Sequence, residues 1–265
     1  MRAGKGWSAL RWLAVLASFS LLYVPLLIVV ARSFQSGLNG GGELTLRWYR
    51  QVFDNDEVMA ALRTSLAIAA ATTGLTTLIG TAGAMGLSRA RFRGRSVLHG
   101  LTYLNLVMPE IVLGLSLLLW FVILGITLGA VSVVLAHVTY SLSYVIITVG
   151  ARLESMDRSL EEAARDLGAT PWRTFWKVTF PLLRPAILSG ALVSFTLSFD
   201  DFLVAYFTTG PGAETLPIRI YSMVRFGMSP EIHALSTLIL AVTLVCVSFG
   251  IGGAQVIRSG LKARR

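Results

Sequence analysis

The chain has 265 residues, 54% of them hydrophobic and only 14% charged, where an ordinary soluble domain carries roughly 25% charge. A mean hydropathy of +0.69 excludes a globule that keeps a polar face to water and points to an exterior that meets lipid. The formal charge of +9 would suggest nucleic acid in a soluble protein; in a lipid-facing chain the positions of the bases matter more than their sum.

A helix that crosses the hydrocarbon core needs about 20 mostly apolar residues, and six stretches qualify. Residues 12–31 carry no charge and follow Arg2, Lys5 and Arg11. This run is longer than the apolar region of a cleaved signal and leads into further spans, so it reads as an uncleaved first helix. Residues 65–87 are uncharged and rich in Ala, Thr and Gly, and Gly80, Gly83 and Gly86 permit close helix approach. Residues 97–124 contain one acid, Glu110, directly after Pro109, where a kink is expected. A tight turn at Gly125 leads to residues 126–149, in which His137 is the only ionisable group of note. Residues 186–207 hold Asp200 and Asp201, and residues 234–257 are uncharged and hold the single cysteine, Cys246. One cysteine makes no internal disulfide. His99, His137 and His233 lie far apart in no metal-binding spacing, so they read as structural and no metal is expected.

Orientation follows from Lys and Arg in the short loops. The N-terminus, the loop with Arg89, Arg91, Arg93 and Arg95, and the end with Arg258, Lys262, Arg264 and Arg265 are basic without acids. The segments after the first and fifth spans mix both signs. Six spans put both basic termini and the basic loop on the cytoplasmic side. The expectation is an all-α, multi-pass membrane protein, one domain over 1–265, with six transmembrane helices.

The loop after the fourth span reads Glu161-Glu162-Ala163-Ala164-Arg165-Asp166-Leu167-Gly168-Ala169-Thr170-Pro171 and continues through Trp172, Phe175, Trp176, Lys177 and Val178 to Pro181. Ser159 with Glu162 predicts a capping box, Gly168 a left-handed stop, and Thr170 with Pro171 the start of a second short helix. Pro181 and Pro185 mark the approach to span five. Two short helices at a sharp angle result. By local physics alone they also suit an amphipathic hairpin lying on the bilayer.

The spacing resembles the signature loop of bacterial importer permeases: Glu-Ala-Ala, three residues, Gly, nine residues, an aliphatic residue, one more, then Leu-Pro. Glu162, Ala163, Ala164, Gly168 and Pro181 match; Val178 stands for the usual Ile and Phe180 for the usual Leu. The resemblance implies a type I ABC importer permease, with a cytoplasmic helix–Gly–helix coupling loop within 151–185 that docks on an ATP-hydrolysing subunit through Glu161, Glu162, Ala163, Ala164, Gly168, Pro171 and Pro181. The chain has no Gly-x-x-x-x-Gly-Lys-Ser/Thr phosphate loop. It is therefore expected not to be an enzyme and to bind no cofactor directly, ATP and Mg acting through the partner ATPase.

The C-terminal third narrows the resemblance. Ser198-Phe199-Asp200-Asp201-Phe202, Thr209-Gly210-Pro211-Gly212, Thr215-Leu216-Pro217, Ile220-Tyr221-Ser222-Met223 and Ser229-Pro230-Glu231-Ile232 are similar to the second permease of spermidine/putrescine importers. That likeness implies the bacterial inner membrane, a homologous permease partner, two ATPase subunits and a periplasmic polyamine-binding protein. Locally, Ser229 and Pro230 also make a good start for span six, with Glu231 at its positive end.

Ionisable groups inside a membrane are functional candidates by default. Glu110, Asp200 and Asp201 form an acid-lined path that favours a cation. Asp201, with Phe202 beside it and Tyr206 further along, is expected to lead a weak relay for ammonium groups, with Asp200 and Glu110 assisting. Three other readings stay open: acids paired with bases on a partner helix, another small solute for the same importer class, or a secondary transporter with an aspartate as proton relay.

Overall fold

The computed structural model describes residues 5–37, 42–90, 92–227 and 230–244, with side chains from residue 11 onward. Among them the architecture is all-helical, apart from one isolated antiparallel bridge between Gln35 and Leu44. The helices are α1 (Lys5–Ser33), α2 (Arg47–Asp54), α3 (Asp56–Arg89), α4 (Arg95–Val107), α5 (Glu110–Ile123), α6 (Ala130–Ser155), α7 (Ser159–Asp166), α8 (Pro171–Thr174), α9 (Phe180–Asp200), α10 (Leu203–Thr208) and α11 (Leu216–Phe226). A further helix, α12, covers Glu231–Leu244.

Four segments are long and apolar enough to cross a bilayer alone: Arg11–Ser33, Asp56–Arg89, Ala130–Ser155 and Pro171–Asp200. A fifth is a broken pair, α4 and α5, bent by 114°. The expected kink at Pro109 is thus a full break. Met108 is extended (φ −68°, ψ 130°), because the proline ring disfavours the helical region for the residue before it. The expected span 186–207 is also interrupted. Asp201 is extended (ψ 128°), and α10 begins after it. Of the span expected over 234–257, only the part within α12 is described; the remainder, with Cys246, lies outside the described residues.

The chain divides into two compact units, Met1–Met59 with Ile220–Arg265, and Ala60–Arg219. In the first, α1 is apolar on all sides and exposed over residues 11–28, with Trp12, Leu21 and Leu27 all open. Ser33 Oγ and Tyr49 Oη share a hydrogen bond of 2.7 Å, and Trp48 Nε1 donates to Gln35 O at 2.8 Å. Asn55 serves two helices. Its Oδ1 accepts the Glu57 and Val58 amides that open α3, and its Nδ2 donates to Glu231 Oε1 at 2.9 Å in the first turn of α12. Ser229 falls outside the described residues.

In the second unit α6 is central. Val145 is fully buried and acts as a knob between two glycines. A Cβ on Gly80 of α3 would stand 2.7 Å from Val145 Cγ1, and one on Gly190 of α9 would stand 3.4 Å from it. Ala84, Val149, Leu153 and Leu183 complete this cluster. Of the glycines read as close-approach positions, Gly80 is in tight contact, Gly83 is in ordinary contact and Gly86 faces open space. At the opposite end of α6, Ser132 Oγ donates to Thr208 O at 2.7 Å and fixes the end of α10. Gly210 lies against the turn before α6: a Cβ there would fall 2.2 Å from Leu128 O. Gly125 turns the chain with φ +67°.

Candidate functional site

Two regions hold the residues singled out by sequence, and both lie in the unit Ala60–Arg219.

The first is a cleft where the two helix breaks meet. Glu110, Tyr140, Thr196, Leu197, Asp200, Asp201, Phe202 and Leu203 line a space of about 260 Å³. The three acids, separated by up to 91 positions in the chain, are gathered at one place. Irregular backbone at membrane depth is tolerated only where it is buried in protein or lines a polar cavity; Glu110 at one break and Asp200 to Leu203 at the other line this one. Tyr206 packs on Phe202 with ring centroids 5.4 Å apart.

The acids differ in their settings. Glu110 is in the first turn of α5 and Asp201 precedes α10, so both face a positive helix end. Asp201 caps α10: its Oδ2 accepts from Ala205 N at 2.7 Å and its Oδ1 from Val204 N at 3.4 Å. Its side chain is 6% exposed, and Oδ2 lies 3.2 Å from His137 Nε2. His137 is held by Ser198 Oγ at 2.7 Å on Nδ1, and Tyr140 Oη donates to Leu197 O at 2.7 Å. Asp200 is the opposite case. It closes α9, where the helix end is negative and an acid is disfavoured. Both Asp200 and Glu110 are exposed to the cleft, and neither meets a basic side chain among the described residues. The geometry therefore makes Asp201 the held carboxylate and Asp200 and Glu110 the open ones.

The second region is the loop after α6. Gly168 adopts φ +84°, ending α7 as expected. Thr170 Oγ1 accepts from Arg173 N, with Pro171 at the first position of α8. Two expectations are corrected. Ser159 does not cap α7: Arg158 is already helical, and Asp157 Oδ1 accepts the Ser159 amide at 2.9 Å instead. That hydrogen bond and one from the Ser159 hydroxyl hold the Asp157 carboxyl below its ordinary value. The second arm is also not a separate short helix. From Phe175 to Thr179 it passes through a π-turn directly into α9, a change of register that accommodates the missing Pro181 N–H.

Glu161 and Glu162, adjacent in sequence, part in structure. Glu162 is exposed, with Ala163, Gly168, Pro171 and Pro181, beside the open apolar side chains of Leu167 and Trp172. Glu161 is buried. Arg89, at the end of α3, pairs with its Oε1, and Thr179 Oγ1 donates to the same oxygen. Burial opposes the Glu161 charge, but these hydrogen bonds and the guanidinium charges of Arg89 and Arg165 outweigh it and hold the carboxyl below its ordinary 4.5.

Reading by motif missed His137, Tyr140, Arg89 and Thr179. For His137 a signal existed, since it is an ionisable group in a membrane span. Arg89 was legible only as a topological charge.

Comparison with known proteins gives the family. The chain is 42% identical over 234 residues to the spermidine/putrescine transport system permease protein PotC of Escherichia coli (strain K12), covering 87% of this chain and 88% of that one. It is 44% identical over 239 residues to the putrescine transport system permease protein PotI of the same strain, covering 87% and 85%. A solved bacterial ABC transporter that imports the acidic polysaccharide alginate contains a chain of the same fold, with a TM-score of 0.71 at 18% identity over 96% of this chain and 97% of that one. Residues 76–258 match the model of the binding-protein-dependent transport system inner membrane component, and the chain belongs to that family of ABC transporter permeases.

Proposed function

We propose that this permease forms half of the translocation pathway of an ATP-driven importer for polyamines such as spermidine and putrescine. The observation that carries the reading is the cleft at the two helix breaks, with three carboxylates, two of them open, and the aromatic rings of Phe202 and Tyr140. A polyamine is a chain of ammonium groups joined by methylenes. Carboxylates answer its charge and aromatic faces add cation–π attraction of about 0.5–1 kcal/mol at exposed sites. The acid at the negative end of α9 supports this most directly, because its placement disfavours the isolated helix and suits a visiting cation. The 42% and 44% identities to polyamine permeases point the same way.

In this reading six spans cross the bacterial inner membrane with both termini cytoplasmic. The loop containing Glu162, Leu167, Gly168 and Trp172 docks on one of two ATPase subunits. A homologous permease supplies the other half of the pathway, and a periplasmic binding protein delivers the polyamine. The test is uptake of labelled spermidine and putrescine into proteoliposomes holding the complete complex. Vanadate-sensitive, protonophore-insensitive uptake is the expected result. Uptake that follows a proton gradient without ATP, or transport of anions in place of polyamines, would overturn the reading.

A further inference from the structure

The loop after α6 is joined by the chain to two spans only: α6 enters it and α9 leaves it. α3 is remote in sequence, Arg89 standing 72 positions before Glu161. Around the pair the packing is open. A hollow of about 440 Å³ lined by Met85, Arg89, Arg165, Trp172 and Phe175 lies beside it. A direct polar link from α3 to the loop is the buried Glu161 carboxylate, which accepts from Arg89 on one side and from Thr179 on the other. Thr179 sits in the π-turn where the loop becomes α9, so one carboxylate ties the end of α3, the start of α7 and the root of α9 together. Glu162, one position on, is exposed.

We infer that Arg89, Glu161 and Thr179 form a joint through which the coupling loop moves α3, so that α3 is a third lever beside α6 and α9. The inference rests on the permease reading above. The two glutamates then have separate roles, Glu161 binding the loop to its own chain and Glu162 belonging to the surface offered to the ATPase. α3 carries Gly80, which grips Val145 of α6, so a pull on Arg89 reaches the packed centre of this unit.

The experiment uses the complete complex in nanodiscs. Spin labels are placed on Gly86→Cys and Leu167→Cys, both exposed. Expected: the distance between labels is the same in nucleotide-free and ATP-trapped states of the otherwise unaltered protein, and differs between those states in Glu161→Gln. Uptake per ATP hydrolysed falls about tenfold in that variant, within the range of ordinary coupling energies. Arg89→Gln/Glu161→Gln, which leaves no unpaired buried charge, behaves as Glu161→Gln does and separates lost coupling from lost folding. A label distance that changes with nucleotide in the unaltered complex, or that stays fixed in both variants with uptake per ATP intact, overturns the joint. If the cargo is not a polyamine, uptake of polyamines is absent while the label distances still report on the joint, so the two failures are distinguishable.

Discussion

Asp200 and Asp201 are neighbours in sequence with opposite employment. Asp201 accepts two backbone amides of α10 and faces His137, whereas Asp200 projects from the wrong end of a helix with nothing basic beside it among the described residues. Replacing Asp200 by Asn removes an unfavourable charge–dipole contact of about 0.3–1 kcal/mol, so the complex should melt at the same temperature or slightly higher. Polyamine uptake should nonetheless fall about tenfold. Unchanged uptake at matched expression would remove Asp200 from the pathway. For Asp201 the informative pair is Asn against Ala. Asn still accepts amide hydrogens; Ala cannot, and loses a cap of about 1 kcal/mol. Thermal unfolding of the purified complex should be lowered by Asp201→Ala and hardly by Asp201→Asn. Equal lowering by both would show that charge opposite His137, not capping, is what holds α10.

At the scale of elements, the contact of α3 with α6 depends on a missing side chain. Gly80→Ala puts a methyl 2.7 Å from a stiff, β-branched and fully buried Val145, an overpacking of about 1–3 kcal/mol. Gly86→Ala, facing open space, should be neutral. Val145→Ala combined with Gly80→Ala should recover part of the loss; no recovery would locate the strain elsewhere. The loop answers to pH through Glu161. Its carboxyl is held below 4.5 in the folded chain. The stabilisation is therefore complete above that value and is lost as pH falls through the depressed one. Pepsin, active in that range, should cut within 159–179 of the wild type only at the acid end. Glu161→Gln, which never forms the ion pair, should be cut across the whole range. Identical profiles would show that the pair does not hold the loop.

Over the whole molecule, the apolar runs 12–31, 65–87 and 126–149 coincide with α1, α3 and α6, the last run starting a few residues before its helix, because composition alone decides what can sit in lipid. The loop's turn chemistry was also legible, since Gly168, Thr170 and Pro171 act through backbone rules that need no partner. The breaks were harder to read. Pro109 announced the first, although as a kink. The second, at Asp201, has no proline and depends on a side-chain cap within an apolar window, which hydropathy passes over. The gathering of Glu110 with the aspartates, and the pairing of Arg89 with Glu161, are long-range contacts that one sequence without its structure does not contain.

The two breaks have a further consequence. A helix that starts anew leaves its first N–H groups without partners in its own spiral, and a helix that stops leaves its last carbonyls bare. At Met108–Glu110 this happens between two apolar helices, and at Asp200–Leu203 at the end of the apolar segment Pro171–Asp200, in both places beside carboxylates. Such groups recruit water. Hydration of both breaks is the expected outcome, and in deuterated buffer the amides of Glu110, Ile111, Phe202 and Leu203 should exchange far sooner than those of Val145 or Val149. With the cleft on the proposed pathway, a hydrated break is also a route for protons and small ions, and the complex is expected to keep the cleft shut toward one side of the membrane whenever it opens toward the other.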